Sequence, residues 1–222
     1  MDYLPSEPLR RQLHRLSRQE LIDRLHAVRA LGAARGLRFL DDSGRPKTID
    51  LALVPWILTP SQLAFFQRLV HTVVGALARL PALYAQVPAV RRILPFDEPQ
   101  RAWLRLISVQ RRIPLAVIGR LDSTATYAHA RWATDFRMLE PNAVGVGGVH
   151  YSPTACSVIL DVLGDVLARA YPRQTVTAMP DPRALLFDEL HAVSRRLGRR
   201  LRGVALIENT DYTTGTDEFS SL

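Results

Sequence analysis

Residues 118–153 read IGRLDSTATYAHARWATDFRMLEPNAVGVGGVHYSP, and they hold the polar pairs that follow two predicted strands. The strands are the apolar runs 115–119 and 136–139, which are typical of short buried strands. A third such run, 203–207, predicts another strand. We expect the first two strands to be neighbours in one sheet. With the helices predicted around them, these strands indicate an α/β or α+β fold, in which a helical N-terminal region precedes a mixed sheet.

Each of the first two strands ends in a pair of polar residues. Arg120 and Asp122 form an Arg-x-Asp pair, and Glu140 and Asn142 form a Glu-x-Asn pair. Residues i and i+2 of a strand point to the same side, so each pair presents both side chains to one place. Carboxylate and amide oxygens are the hard ligands that suit Mg²⁺ carrying phosphates. A guanidinium suits a phosphoryl oxygen.

A glycine-rich loop follows the second pair and includes Gly147 and Gly148. Glycines allow backbone N–H groups to approach an anionic ligand closely. Each of these motifs is short and common by chance. Their combination on consecutive strands favours a site for a metal ion and a phosphate.

The rest of the chain predicts helices, from apolar residues at helical spacing and from capping residues at helix starts. Ser17 and Glu20 form a capping-box pattern that divides the first helical stretch into two helices. Thr59, Pro60 and Gln62 form a strong start for another helix. The predicted helical stretches span residues 8–34, 59–80, 97–109, 153–170 and 183–197.

The Arg-x-Asp and Glu-x-Asn arrangement resembles the Mg²⁺-binding strands of ATP-grasp enzymes. It is most similar to the circularly permuted branch, which includes glutathionylspermidine-synthetase-like proteins. Residues 49–60, 141–151 and 204–219 resemble further segments of that branch. The resemblance touches most of the chain from residue 49 onward, and its specific motifs lie within 118–151.

The resemblance implies an ATP-dependent carboxylate–amine ligase. In this reaction a carboxylate attacks the γ-phosphate of ATP to give an acyl phosphate and ADP. An amine then displaces phosphate to form an amide. The implied cofactors are ATP and Mg²⁺, and the implied metal ligands are Asp122, Glu140 and Asn142. The implied partners are small-molecule or peptide carboxylates and amines.

Arg120 is the residue that the resemblance assigns to the transferred phosphoryl group, and Gly147 and Gly148 would cradle the carboxylate or acyl phosphate. Asp122 and Glu140 are 18 positions apart, which is longer than the family leads us to expect. A long connection between the strands would explain the spacing. Asp135 is the alternative partner of Glu140 if Arg120 and Asp122 are not the family's equivalents.

The domain organisation follows from the same resemblance. Residues 1–200 are expected to form the helical region and the permuted metal-binding half of an ATP-grasp domain. Residues 201–222 resemble the start of a further α/β unit, so we expect the coding sequence to continue beyond Leu222. The lysines that clamp ATP in the family would lie there, since Lys47, in a predicted turn, is the only lysine of these 222 residues.

The amino-acid composition limits the cellular compartments and the functional classes that fit this chain. A single cysteine, Cys156, excludes a disulfide within the chain and is typical of a reducing compartment. The N-terminus has no signal peptide pattern, and charged residues interrupt the most apolar stretch, so we expect a cytoplasmic protein without a membrane partner. The net charge is +8, but the basic residues are spread along the chain without an aromatic-interleaved basic stripe, which argues against a nucleic-acid-binding protein. A non-catalytic binding or scaffold module with the same fold is the main alternative.

Overall fold

The computed structural model describes residues 2–41, 43–109, 118–125, 127–142 and 147–205. Helices dominate this part of the chain, and its strands form two small antiparallel sheets, which is an α+β arrangement. The helices are α1 (Glu7–His14), α2 (Arg18–Ala34), α3 (Pro60–Leu77), α4 (Leu80–Gln86), α5 (Pro88–Ile93), α6 (Glu98–Val109), α7 (Trp132–Asp135), α8 (Tyr151–Ala170) and α9 (Pro182–Arg196). The strands are β1 (Arg38–Leu40), β2 (Pro46–Thr48), β3 (Arg120–Thr124) and β4 (Arg137–Asn142).

The hydrophobic core is built on α8, which packs against α1 and α2. The buried residues of α8 recur at helical spacing, so one face of this helix is apolar along its length. Leu9 and Leu13 of α1, Val28 of α2 and Leu37 complete the cluster. Burying each such side chain contributes about 1.5–3 kcal/mol, so this face supplies much of the stability of the described chain.

Two arginines of the α2 region bind acidic residues of α8 beside this core. Arg24 forms two hydrogen bonds with the Asp165 carboxylate at 2.8 and 2.9 Å, and it also donates to the Val162 carbonyl. Arg35 pairs with Asp161 at 2.6 Å. These contacts fix α2 along α8, because a bidentate arginine–carboxylate pair constrains orientation as well as distance.

The predicted helix starts are confirmed by their caps. Ser17 and Glu20 form a reciprocal capping box that separates α1 from α2. Thr59 and Gln62 form a second capping box at the start of α3, with Pro60 in the first turn. Asp181 caps α9 by accepting from the Arg183 backbone N–H at 2.9 Å. Each cap satisfies backbone donors that the helix leaves unpaired, and each contributes about 1 kcal/mol.

His150 links the start of α8 to α9 and to the end of α2. Its side chain is 5% exposed, and Arg183 lies 3.3 Å from Nδ1. A guanidinium can only donate, so Nδ1 accepts and Nε2 carries the proton. Nε2 then donates to the Arg35 carbonyl at 3.0 Å.

The sheet layout differs from the prediction of one mixed sheet. Among the described residues, β1 pairs only with β2 and β3 pairs only with β4, both antiparallel. β3 begins at Arg120, whereas residues 118–119 have no regular structure and residues 115–117 lie outside the described residues. Residues 203–205 are not a strand, and 206–207 lie outside the described residues. A strand forms where it finds a pairing partner, and an apolar run alone does not supply one.

The second half of α3 continues with α4, α5 and α6 into a segment that we call the helical arm, residues 67–106. No residue of this arm is buried. Its internal contacts include a ring pair between Tyr84 and Phe96, whose centroids are 5.0 Å apart, and two hydrogen bonds from Arg91 to carbonyls of α4. The arm therefore forms helices without joining the core on α8.

Candidate metal and phosphate site

The β3–β4 hairpin brings the four predicted polar residues together. Its register places Asp122 opposite Glu140 and Arg120 opposite Asn142. Directly opposite residues of an antiparallel pair have Cβ atoms about 4.5–5.5 Å apart on the same face. The predicted strand 136–139 overlaps β4, but the strand that pairs with it is Arg120–Thr124 and not the predicted run 115–119, of which 118–119 have no regular structure and 115–117 lie outside the described residues.

The four side chains form two hydrogen-bonded pairs on one face of the hairpin. Arg120 donates to both carboxylate oxygens of Asp122, at 2.6 and 3.2 Å. Asn142 donates from Nδ2 to Oε1 of Glu140 at 3.3 Å. Its nitrogen, assigned from this hydrogen bond, faces the Glu140 carboxylate.

The electrostatics of the group centre on Asp122. The Arg120 guanidinium holds the pKa of the Asp122 carboxyl below its usual range, because its effect exceeds the opposing effect of burial. Asp122 is therefore ionised at neutral pH, as a metal ligand must be. Among the described residues, no arginine or lysine forms an ion pair with Glu140. The four side chains together carry a net charge of −1 at neutral pH.

An irregularity in the ladder lies directly beside this group. The register shifts between Asp122 and Ser123, because Ser123 pairs with Met138 and leaves Leu139 as an extra residue on β4. Such a bulge increases the local twist and redirects the neighbouring side chains. At Gly119, an added Cβ would lie 3.3 Å from the Asn142 carbonyl oxygen, so the chain approaches closely at this edge.

The glycine-rich loop reaches the same group through Gly147, whose carbonyl accepts from Arg120 at 3.2 Å. Gly148 has a φ of 97°, a conformation that side chains rarely adopt, and its carbonyl accepts the backbone N–H of Ser152 at the start of α8. The loop is therefore near Arg120, as predicted. The group facing Arg120 is a carbonyl, whereas the prediction relied on backbone N–H donors.

The connection between β3 and β4 explains the long spacing of the two motifs. It contains α7, and Trp132 of this helix is fully buried against Phe65 and Phe66 of α3 and near Phe136. Among the described residues, Trp132 Nε1 has no hydrogen-bond partner, an uncommon feature for a buried tryptophan.

Gln62 also positions the hairpin, and sequence reasoning assigned it only a capping role. Its side chain is fully buried, and Nε2 donates to the Tyr127 carbonyl at 2.7 Å. Its other end accepts from the Thr59 backbone N–H in the capping box. One side chain thus ties the start of α3 to the connection of the hairpin. The capping pattern was the only signal in the sequence.

Asp135, the alternative partner of Glu140, lies at the opposite end of the hairpin. It ends α7, before β4 begins at Arg137, and its carboxylate is 3.6 Å from Nε2 of His129. Glu140 lies three residues after Arg137 along the strand, a distance of about 10 Å. The structure therefore brings Asp122, not Asp135, to Glu140.

The donor atoms of the hairpin group fit a hard divalent cation in type. Asp122 and Glu140 would supply carboxylate oxygens, which Mg²⁺ prefers together with amide oxygens. Asn142 would supply its amide oxygen after the side-chain amide turns, because its nitrogen faces Glu140 in this structure. Within the described part of the chain, no group of three or more His, Cys, Asp or Glu side chains is placed to hold a metal ion. The hairpin offers three protein ligands only when Asn142 is counted with the two carboxylates. Waters and phosphate oxygens would complete the coordination of the metal ion.

The hairpin face is open to solvent. The side chain of Asp122 is 32% exposed and that of Arg120 is 48% exposed.

No family model, curated protein or solved structure matches this chain. The chemistry of the hairpin group is accordingly the basis on which a function can be inferred.

Proposed function

We propose that the chain is part of an ATP-dependent carboxylate–amine ligase of the circularly permuted ATP-grasp type, with the β3–β4 hairpin as its site for Mg²⁺ and phosphate. One observation carries the proposal. The hairpin register sets Asp122 against Glu140 and Arg120 against Asn142, so two separate sequence motifs lie side by side on one face of the hairpin. The resemblance of these motifs to ATP-grasp strands supplies the reaction type.

Asp122, Glu140 and Asn142 would hold Mg²⁺ together with phosphate oxygens. A bound Mg²⁺ supplies charge neutralisation for the phosphates during transfer. Arg120 lies beside these ligands, and its guanidinium is oriented by Asp122 and the Gly147 carbonyl. It can orient and stabilise the phosphoryl group as the carboxylate substrate is converted to an acyl phosphate. The amine then forms the amide bond and phosphate leaves.

The ion pair between Arg120 and Asp122 serves both roles. It keeps the Asp122 carboxyl ionised, which a metal ligand requires, and it holds the guanidinium at the place where phosphate charge develops. Glu140 has no such cation among the described residues, so it is the carboxylate most available to a metal ion. This makes Glu140 the residue whose removal tests the site most directly.

The test is divalent-cation binding, measured by the electron paramagnetic resonance of Mn²⁺ as a probe for Mg²⁺. Glu140→Gln keeps the shape of the side chain and removes its charge. We expect it to weaken Mn²⁺ binding by about tenfold or more, with an unchanged circular dichroism spectrum. Asp122→Asn is expected to have the same effect.

Two control variants make this experiment specific. Asp135→Asn changes the alternative ligand, and Glu7→Gln changes an exposed carboxylate of α1 that pairs with Arg11. Both are expected to bind Mn²⁺ as the unmodified chain does. Equal binding by Glu140→Gln and Glu7→Gln would remove the hairpin from consideration as a metal site. ADP release with candidate acids and amines then tests turnover.

A non-catalytic binding module is the second candidate, and one observation favours it. The Arg120 guanidinium is already engaged by Asp122 and by the Gly147 carbonyl. A module of this kind would bind nucleotide in the presence of Mg²⁺ and release no ADP with any acid and amine. The two candidates therefore differ in turnover and agree in metal binding.

A further inference from the structure

The helical arm, residues 67–106, exposes an unusual amount of apolar surface. Val70 and Val74 lie four residues apart on α3, so they share one helix face, and both are exposed. Ile93 is 76% exposed and Trp103 is 66% exposed, with Leu106 exposed one turn further along α6. Large apolar side chains exposed on three helices of the arm are a feature of surfaces that interact with a protein or a membrane.

The arm is also strongly basic. It contains six arginines and two acidic residues, a net charge of +4, which is half of the net charge of the chain in 40 of its 222 residues. Arg101 and Arg105 share Glu98. Arg68, Arg79 and Arg92 form no ion pair within the described residues. The arm therefore offers cationic side chains next to exposed apolar ones.

From this combination we propose that the helical arm binds the surface of an anionic lipid bilayer. Helices that lie in a membrane interface combine an apolar face with arginine or lysine on the polar face and with tryptophan at the boundary. Anionic headgroups complement the charge of the arm. Self-association of the chain would instead bring together two arms that each carry a net charge of +4. Charge repulsion therefore disfavours a second copy of the chain as the partner of this face.

The geometry favours binding at the surface over spanning the bilayer. Within the described part of the chain, two helical stretches could cross a membrane by length and composition, Pro60–Gln86 and Tyr151–Ala170. The second is the core helix α8. The first, α3 with α4, has a mean hydropathy of only 1.2 and carries Arg68 and Arg79. Arginines at those positions are accommodated when the helix lies in the plane of the interface.

The experiment is flotation of the chain with vesicles of phosphatidylcholine alone or of phosphatidylcholine and phosphatidylglycerol in equal parts. We expect binding to the anionic vesicles, a steep loss of that binding at high salt, and little binding to phosphatidylcholine alone. No binding to either vesicle, or equal binding to both, would overturn the proposal. The proposal does not depend on ligase activity, and the vesicle assay does not involve the hairpin.

Matched variants test whether the arm is responsible. Arg68→Gln with Arg92→Gln is expected to lower the partition coefficient about 30-fold, at about 1 kcal/mol for each arginine near an anionic surface. Arg10→Gln with Arg173→Gln removes the same charge from exposed positions outside the arm and is expected to have much less effect. Equal effects of the two pairs would assign binding to net charge instead of the arm.

Apolar contact is tested by Ile93→Ser, which is expected to weaken binding about tenfold. Leu185→Ser, at an exposed position of α9, is its control and should leave binding unchanged. These positions are exposed, so neither change should unfold the chain.

Trp103 gives a direct measure of insertion. Brominated lipids in anionic vesicles should quench the fluorescence of the unmodified chain and of Trp56→Phe, and should quench Trp103→Phe much less. Sedimentation velocity without lipid tests the alternative in which a second copy of the chain covers the arm. A dimer that Ile93→Ser converts to monomer would show that a second copy covers the arm, and the proposal would be wrong.

Discussion

Arg120 donates two hydrogen bonds to Asp122, and this contact lowers the pKa of the Asp122 carboxyl. Replacing Arg120 by Gln removes the positive charge and the bidentate geometry. We therefore expect the pKa of Asp122 in Arg120→Gln to rise toward its ordinary value. Carboxyl carbon chemical shifts followed by NMR through acid pH measure it, with Asp122→Asn to assign the resonance.

Arg137→Gln is the matched control for this titration. Arg137 lies on β4 at the other end of the hairpin, where its guanidinium donates to the Thr134 and Phe136 carbonyls. The Asp122 titration should be unchanged in this variant. If Arg120→Gln also leaves it unchanged, the ion pair is not formed in solution, and the assignment of Arg120 to the site would lose its support.

At the residue scale, the sequence predicted which side chains meet but not what holds them together. Alternation along a strand has a fixed period of two, so Arg120 with Asp122 and Glu140 with Asn142 could be assigned to common faces. Trp132 and Gln62 gave no comparable signal. Their burial depends on tertiary contact between α3 and the hairpin connection, which no local pattern encodes.

At the element scale, the contact of α2 with α8 depends on Asp165. Hydrogen bonds from Arg24, and next from Arg169, lower the pKa of this carboxyl to about 2, against a smaller opposing effect of burial. A lowered pKa means that the unfolded state binds more protons. The stabilisation is therefore present above the unfolded pKa near 4 and is lost as the pH falls toward 2.

Asp165→Asn should remove this part of the pH dependence. The side chain of Asp165 is 48% exposed, so solvent screening reduces its contribution to about 1 kcal/mol. Urea unfolding at several pH values between 2 and 5 measures the difference between the variant and the unmodified chain. That difference should shrink as the pH falls. Asp188→Asn, on α9, is the control, and an equal effect there would contradict the role of Asp165.

The helices were more predictable than the strands because their signals are local. Ser17 with Glu20 and Thr59 with Gln62 start helices by satisfying nearby backbone donors, and the structure confirms both. A strand needs a partner that may be distant in sequence. The apolar run 115–119 suggested a strand, yet the ladder formed at Arg120–Thr124, where the segment that pairs with it lies.

At the scale of the whole molecule, the chain separates into a packed core and a helical arm with no buried residue. The sequence could not predict this division. The apolar residues of α3 have the spacing of a core-facing helix, and only the tertiary structure shows that many of them remain exposed. The basic residues are spread along the chain, and the arm holds half of the net charge because it has only two acidic residues.

This division predicts a large difference in local stability. Amide protons open with a free energy that depends on the buried contacts around them, from near zero up to the global value. We therefore expect the slowest hydrogen exchange in α8, where Val158, Leu163 and Val166 are fully buried. Exchange in α4–α6 should correspond to a free energy at least about 2 kcal/mol lower.

Hydrogen exchange followed by mass spectrometry distinguishes these segments directly, and anionic vesicles provide a second condition. If the arm binds the lipid surface, vesicles should slow exchange in α6, because bound helices are desolvated and ordered, while exchange in α8 stays the same. Equal protection of α6 and α8 without lipid would show that the arm belongs to the same cooperative unit as the core. That result would mean that the apolar face of the arm is already covered in solution by a partner other than lipid.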